Sequence, residues 1–172
     1  MMQMLAAGGI PPLTDNLRVA DESNPRGYFE FDPVKRLRHD RSWIEQAQGR
    51  AVKIIHVLVR ELPAAGQFNY RLLLMKRPME EILSSQRAML EREGKTSADD
   101  ATLAKIFRSQ LEQLEQWLAA QPDFSFLAID YHRALNEPLE VAKEVNAFLQ
   151  ANLNLEAMAA AVDPTLYHQR LA

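Results

Sequence analysis

Apolar residues fall along this chain in two rhythms. Continuous apolar runs cover residues 52–59 (Val-Lys-Ile-Ile-His-Val-Leu-Val), 71–75 (Arg-Leu-Leu-Leu-Met) and 124–129 (Phe-Ser-Phe-Leu-Ala-Ile). A strand covered on both faces has no polar alternation, so these runs predict buried strands of a parallel sheet. Between and after them the spacing turns helical. Residues 78–92 open on Pro78 and are followed by Gly94, the usual asymmetry of helix starts and stops. Residues 99–119 place Leu103, Ile106, Phe107, Leu111, Leu114 and Trp117 on one stripe. A third helix opens near Asn136, with Pro138 in its first turn, and is expected to bury Val141, Val145, Phe148 and Leu149. Helices covering a parallel sheet define the expected class, α/β.

The first residues, Met1-Met2-Gln3-Met4-Leu5-Ala6-Ala7-Gly8-Gly9, read as the end of an amphipathic helix with a glycine stop. Three strands are few for an open parallel sheet, where about five or six are usual. The expectation is that a first strand and the turn after it are missing ahead of Met1. Residues 10–49 are rich in turns, with Pro11-Pro12, Asn24-Pro25-Arg26-Gly27 and Asp32-Pro33. No internal repeat, low-complexity tract or linker divides the chain, so residues 1–172 read as one domain.

Composition narrows the chemistry. Lys and Arg number 20 against 23 Asp and Glu, a net charge of −3, which gives no global case for nucleic acid or an anionic membrane. Any anion site must therefore be local. The absence of cysteine removes disulfides, thiolate metal sites and cysteine nucleophiles. His39-Asp40 and Tyr131-His132 lack metal-ligand spacing, so no metal is expected. Without a basic-flanked signal peptide or a run near 20 apolar residues, the expected location is the cytoplasm.

The strand ending at Met75 runs straight into the helix at Pro78 through Lys76 and Arg77. A strand's carboxyl end followed by a helix amino terminus is where an open α/β sheet holds anions, because backbone N–H groups and the helix dipole point there. Arg77 stands at that mouth, and Ser85 lies two turns into the helix. The same residues also read as a solvated strand end and a polar helix face.

Here the chain resembles the sulfotransferases that use 3′-phosphoadenosine 5′-phosphosulfate (PAPS), in particular bacterial sulfotransferase-like proteins. Their 3′-phosphate motif is an Arg at a strand end, an acidic residue four on and a Ser eight on, which Arg77, Glu81 and Ser85 match. Residues 24–30 (Asn-Pro-Arg-Gly-Tyr-Phe-Glu) resemble the family's segment before the substrate cleft. Residues 131–149 resemble its late strand, loop and helix, and residues 162–167 (Val-Asp-Pro-Thr-Leu-Tyr) a frequent ending of bacterial members.

The resemblance implies a three-layer α/β/α, P-loop NTPase-like sulfotransferase fold, with PAPS as donor and Arg77 and Ser85 on its 3′-phosphate. It also offers His56 as the base that deprotonates the acceptor, with Leu62-Pro63 at the family's distance from it. Imidazole, with an ordinary pKa near ~6.5, suits that task; the alternative is a core histidine bonded to a backbone carbonyl. The family's Lys two before that His would be Ile54, with Lys53 one place off. Glu30 and Asp32 either orient an acceptor or solvate a loop. The chain has no loop like Pro-Arg-Ser-Gly-Thr-Ser for the 5′-phosphosulfate, and of the family's basic tail only Arg170 remains.

The parent activity is then transfer of a sulfuryl group to a hydroxyl or amine on an unspecified small-molecule or glycan acceptor, with this chain alone expected inactive. Two other readings stay open. One is a non-catalytic binding or assembly module that pairs its exposed sheet with a partner strand or a second copy. The other is a P-loop kinase relative, although Gly-x-x-x-x-Gly-Lys-Ser/Thr is absent.

Overall fold

A computed structural model describes residues 1–20, 25–64, 66–92, 94 and 99–166. The chain is a mixed α/β protein around a two-stranded parallel sheet. Strand β1 (Tyr70–Lys76) pairs with β2 (Phe124–Asp130) in unbroken register, from Tyr70 opposite Phe124 to Lys76 opposite Asp130. The helices are α1 (Met2–Gly8), α2 (Met79–Arg92), α3 (Asp100–Ala119), α4 (Tyr131–Asn136), α5 (Pro138–Leu149) and α6 (Leu155–Ala160).

Successive strand residues point to opposite faces, and here each face carries its own core. Tyr70, Leu72, Phe124 and Phe126 pack with Leu114 and Leu118 of α3, Leu58, Leu62, Leu37 and Trp43. Leu73, Met75, Leu127 and Ile129 pack with Met4 of α1, Val141 and Val145 of α5 and Met158 of α6. The fully buried members, such as Leu37, Met4, Val141, Val145 and Met158, each contribute about 1.5–3 kcal/mol. At the α1–α6 contact a Cβ on Gly8 would come within 2.6 Å of Met158 Cγ, so only glycine lets the helices approach this closely.

The local signals behind the helices are plain. Gly9 closes α1 in the left-handed conformation (φ 108°), its N–H on the Ala6 carbonyl. Asp99 caps α3 by accepting from Thr102 N–H, and Asp130 caps α4 by accepting from Arg133 N–H. Pro138 sits in the first turn of α5. One stripe position is corrected: Ile106 is exposed, and Ala104 and Leu118 are buried on α3 instead.

The third expected strand is also corrected. Residues 52–55 form no strand; Ile55 is extended (φ −73°, ψ 144°) and a 3-10 helix, His56–Glu61, follows it. Burial alternates from half-buried Val52 and Ile54 to exposed Lys53 and Ile55, the period of a strand. Yet among the described residues the segment has no ladder partner, and Leu58 N–H turns back onto the Ile55 carbonyl. The apolar run continues because Leu58 and Val59 are buried from the 3-10 turn.

Tyr70 gives a pH-dependent test of the sheet's edge. Its ring stacks on Phe124 at 4.6 Å and its hydroxyl donates to the Pro63 carbonyl at 2.9 Å. Burial pushes the phenol up to about 12, from an ordinary value near ~10. A raised pKa means stability that is complete below the unfolded value and lost as pH rises through the folded one. Urea midpoints should therefore fall between pH 10 and about 12, more steeply than in Tyr70→Phe; identical slopes would show that Tyr70 contributes nothing.

Candidate functional site

The parallel register sets Lys76 beside Asp130, so the two strands release the chain side by side. The next residues, Arg77 after β1 and Tyr131 and His132 after β2, therefore converge at the carboxyl end of the sheet. Arg77 Nε donates to Glu81 Oε2 at 2.6 Å, and its guanidinium lies 4.9 Å from the Tyr131 ring centre. His132 Nε2 is 2.9 Å from the other Glu81 oxygen, Oε1.

Glu81 is the centre of this group. Its side chain is 1% exposed, whereas Arg77 is 21% and His132 39% exposed, so a buried carboxylate holds a guanidinium and an imidazole that reach the surface. A buried carboxylate is tolerated only when paired and hydrogen-bonded, and both oxygens are engaged here. The arrangement fixes the planar Arg77 fork at the start of α2. Ser85, half-buried, lies one turn beyond Glu81 on the same face of α2. Lys76 is drawn away to Glu115 at 2.8 Å.

His56 occupies a different wall. Its Nε2 lies 2.9 Å from Gln110 Oε1, and its ring faces Phe107. With Gln110 accepting, Nε2 carries the proton and Nδ1 keeps the lone pair. His56 lines a cavity of about 460 Å³ together with Met75 and Ile82, the chain neighbours of Lys76 and Glu81. The cavity thus reaches from His56 to the strand end, but the hydrogen bonds of His56 and Arg77 go to separate partners.

The remaining sequence candidates are accounted for by local contacts. Glu30 binds Arg18 at 2.9 Å and lies 3.7 Å from Lys53, while Asp32 binds Lys35 at 3.0 Å. Arg18 also covers the Tyr28 ring at 3.4 Å. Arg26 donates to the Ala161 carbonyl and to Asp163 Oδ2, both at 2.8 Å, joining two segments that the sequence singled out separately. Backbone and hydroxyl donation from Thr165, with Arg26 nearby, holds the Asp163 carboxyl below its usual range. Asn24, Tyr167, His168 and Arg170 lie outside the described residues.

Sequence reasoning placed Glu81 only as a spacing match and weighed His132 only as a metal ligand. The Arg77–Glu81 pair was readable as an i,i+4 contact. The link to His132 depends on the register between strands about fifty residues apart. Comparison with protein-family models, curated proteins and solved structures finds no match to this chain. Among the described residues no helix is long and apolar enough to cross a membrane.

Proposed function

We propose that this chain is a sulfotransferase-type nucleotide-binding unit, of the three-layer P-loop-like class, that takes the 3′-phosphate of PAPS or adenosine 3′,5′-bisphosphate at Arg77 and Ser85. The observation that carries this reading is Arg77 at the carboxyl end of a parallel strand, fixed by buried Glu81 and followed directly by a helix that bears Ser85 on the same face. A guanidinium held in a fixed plane binds phosphate oxygens with two parallel N–H donors. Helix α2 adds its amino-terminal dipole. His56, on the wall of the adjoining cavity, is the base in this reading, with Nδ1 to accept an acceptor proton.

The residues present fit the 3′-phosphate half of the donor. No glycine-rich loop in the sequence fits the 5′-phosphosulfate. Sulfuryl transfer depends on charge stabilisation at that end, as phosphoryl transfer does, so the chain alone is expected to bind and not to transfer. Calorimetry with adenosine 3′,5′-bisphosphate, adenosine 5′-phosphate and ATP tests this. The bisphosphate should bind at least about a hundredfold more tightly than either, the contribution of a two-donor, charge-assisted contact. Equal affinity for the two adenosine phosphates would refute the 3′-phosphate site, and tighter ATP binding would favour the kinase relative.

A further inference from the structure

The cavity beside His56 has an unusual shape. It is lined by five consecutive residues of β1, from Arg71 to Met75, and by five consecutive residues from Arg50 to Ile54. A cavity lying over one face of a strand meets alternate residues; one that meets every residue lies at the strand's edge. The space therefore lies beside β1 in the plane of the sheet, with residues 50–54 along its other border. Leu111, Leu114 and Leu118 of α3 line it, as do Met1 and, on α1, Met2 and Leu5.

A second cavity of about 610 Å³ continues it. Both are lined by Arg50, Val52, Ile54, Arg71 and Leu72, so they form one slot along β1. Among the described residues β1 pairs with β2 alone, and on the facing border Ala51 bridges to Pro12 while Val52, Lys53 and Ile54 make no backbone–backbone hydrogen bond. Unpaired backbone at an apolar edge is a template for another strand.

Two further observations define the occupant. Arg50, Lys53 and Arg71 line the slot, with no Asp or Glu among its lining residues; Lys53 faces Glu30 at 3.7 Å, whereas Arg50 and Arg71 donate to uncharged oxygens, the Pro12 and Phe148 carbonyls and Gln150 Oε1. Trp43, which lines the second cavity, has its Nε1–H buried without a hydrogen-bond partner among the described residues. A donor and a cationic rim call for carbonyl and carboxylate oxygens.

We infer that the slot is a strand-acceptor site for an extended apolar peptide segment of another polypeptide, with acidic residues at its ends. The segment inserts between residues 50–54 and β1, completes both edges with main-chain hydrogen bonds, and sets its carboxylates against Arg50 and Arg71. At about 3.3 Å per residue, β1 offers room for about seven residues. The slot does not include Arg77 or Ser85, and segment binding does not require nucleotide, but it takes in the cavity that His56 lines, so an inserted segment covers the wall that carries the base in the reading above.

Fluorescence anisotropy with a labelled peptide, Glu-Val-Thr-Ile-Val-Val-Thr-Glu, tests it on the whole chain. Saturable binding is expected, weakened about tenfold when alternate amides are N-methylated and about tenfold when Lys replaces the terminal Glu residues. Ile54→Pro removes one N–H from the border without breaking any backbone bond of the native fold, and it should weaken binding similarly. The N-methylated peptide against the unaltered chain keeps the test decisive if that variant does not fold. Equal binding of the N-methylated peptide, absence of binding at millimolar peptide, or a self-associated chain that peptide cannot dissociate would each overturn the proposal.

Discussion

Glu81→Ala is expected to cost about 3 kcal/mol of stability and to lower Tm by roughly 6–12 °C for a chain of this length. The expectation rests on burial. Glu81 is 1% exposed and both its oxygens are taken, one by Arg77 and one by His132. Truncation takes the carboxylate from a guanidinium that is itself only 21% exposed. Removing one member of a buried pair exposes the full desolvation penalty of the other. Glu81→Gln keeps the shape and one acceptor, so it should fall between the two. Glu115→Ala, which removes the partner of the half-exposed Lys76, is the matched control and should change stability by no more than about 0.5 kcal/mol. Differential scanning calorimetry on the three variants separates these outcomes; a Glu81→Ala protein as stable as the control would show that Glu81 is not the anchor of the strand ends.

Arg77→Ala should reduce affinity for adenosine 3′,5′-bisphosphate about a hundredfold, the scale of a two-donor, charge-assisted contact. Affinity for adenosine 5′-phosphate should not change. Arg77→Lys is expected to recover only part of the loss, because a point charge does not reproduce the planar fork. Removing Arg77 also takes the guanidinium from the buried Glu81 carboxylate. The double replacement Arg77→Ala with Glu81→Gln removes that buried charge and should restore stability while leaving bisphosphate affinity low. A double variant that regains affinity would mean that Arg77 acts on the fold rather than on the ligand.

The parts of this molecule that the sequence made legible are those decided within a few residues. The runs at 71–75 and 124–129 fall inside β1 and β2, and Pro138 and Gly9 mark the ends of helices that form there. The run at 52–59 was ambiguous for a physical reason. Its β-branched residues favour extended backbone, but a strand exists only where a ladder partner exists, and residues 52–55 face a gap. His56 consequently begins a 3-10 turn instead of ending a strand. On α3 the stripe was readable to within one residue: Ile106 and Leu118 are both apolar at helical spacing, and the packing of Leu118 against Phe124 and its neighbours decides between them.

The candidate site divides the same way. Arg77, Glu81 and Ser85 could be aligned because they belong to one short segment and one helix face. His132 and Tyr131 could not, since the register that sets Lys76 opposite Asp130 is a property of the folded sheet. Nor could the slot, which exists because residues 50–54 and β1 border the same cavities without pairing with each other.

The measurement that most directly tests the nucleotide reading is two-dimensional NMR of the arginine Nε–Hε signals during titration with adenosine 3′,5′-bisphosphate. Arg77, whose Nε is held by Glu81, should give a resolved signal that shifts saturably with the bisphosphate and stays in place with adenosine 5′-phosphate. An Arg77 signal that does not move while the nucleotide binds, or one that moves equally with both nucleotides, would contradict the assignment of the 3′-phosphate to this strand end.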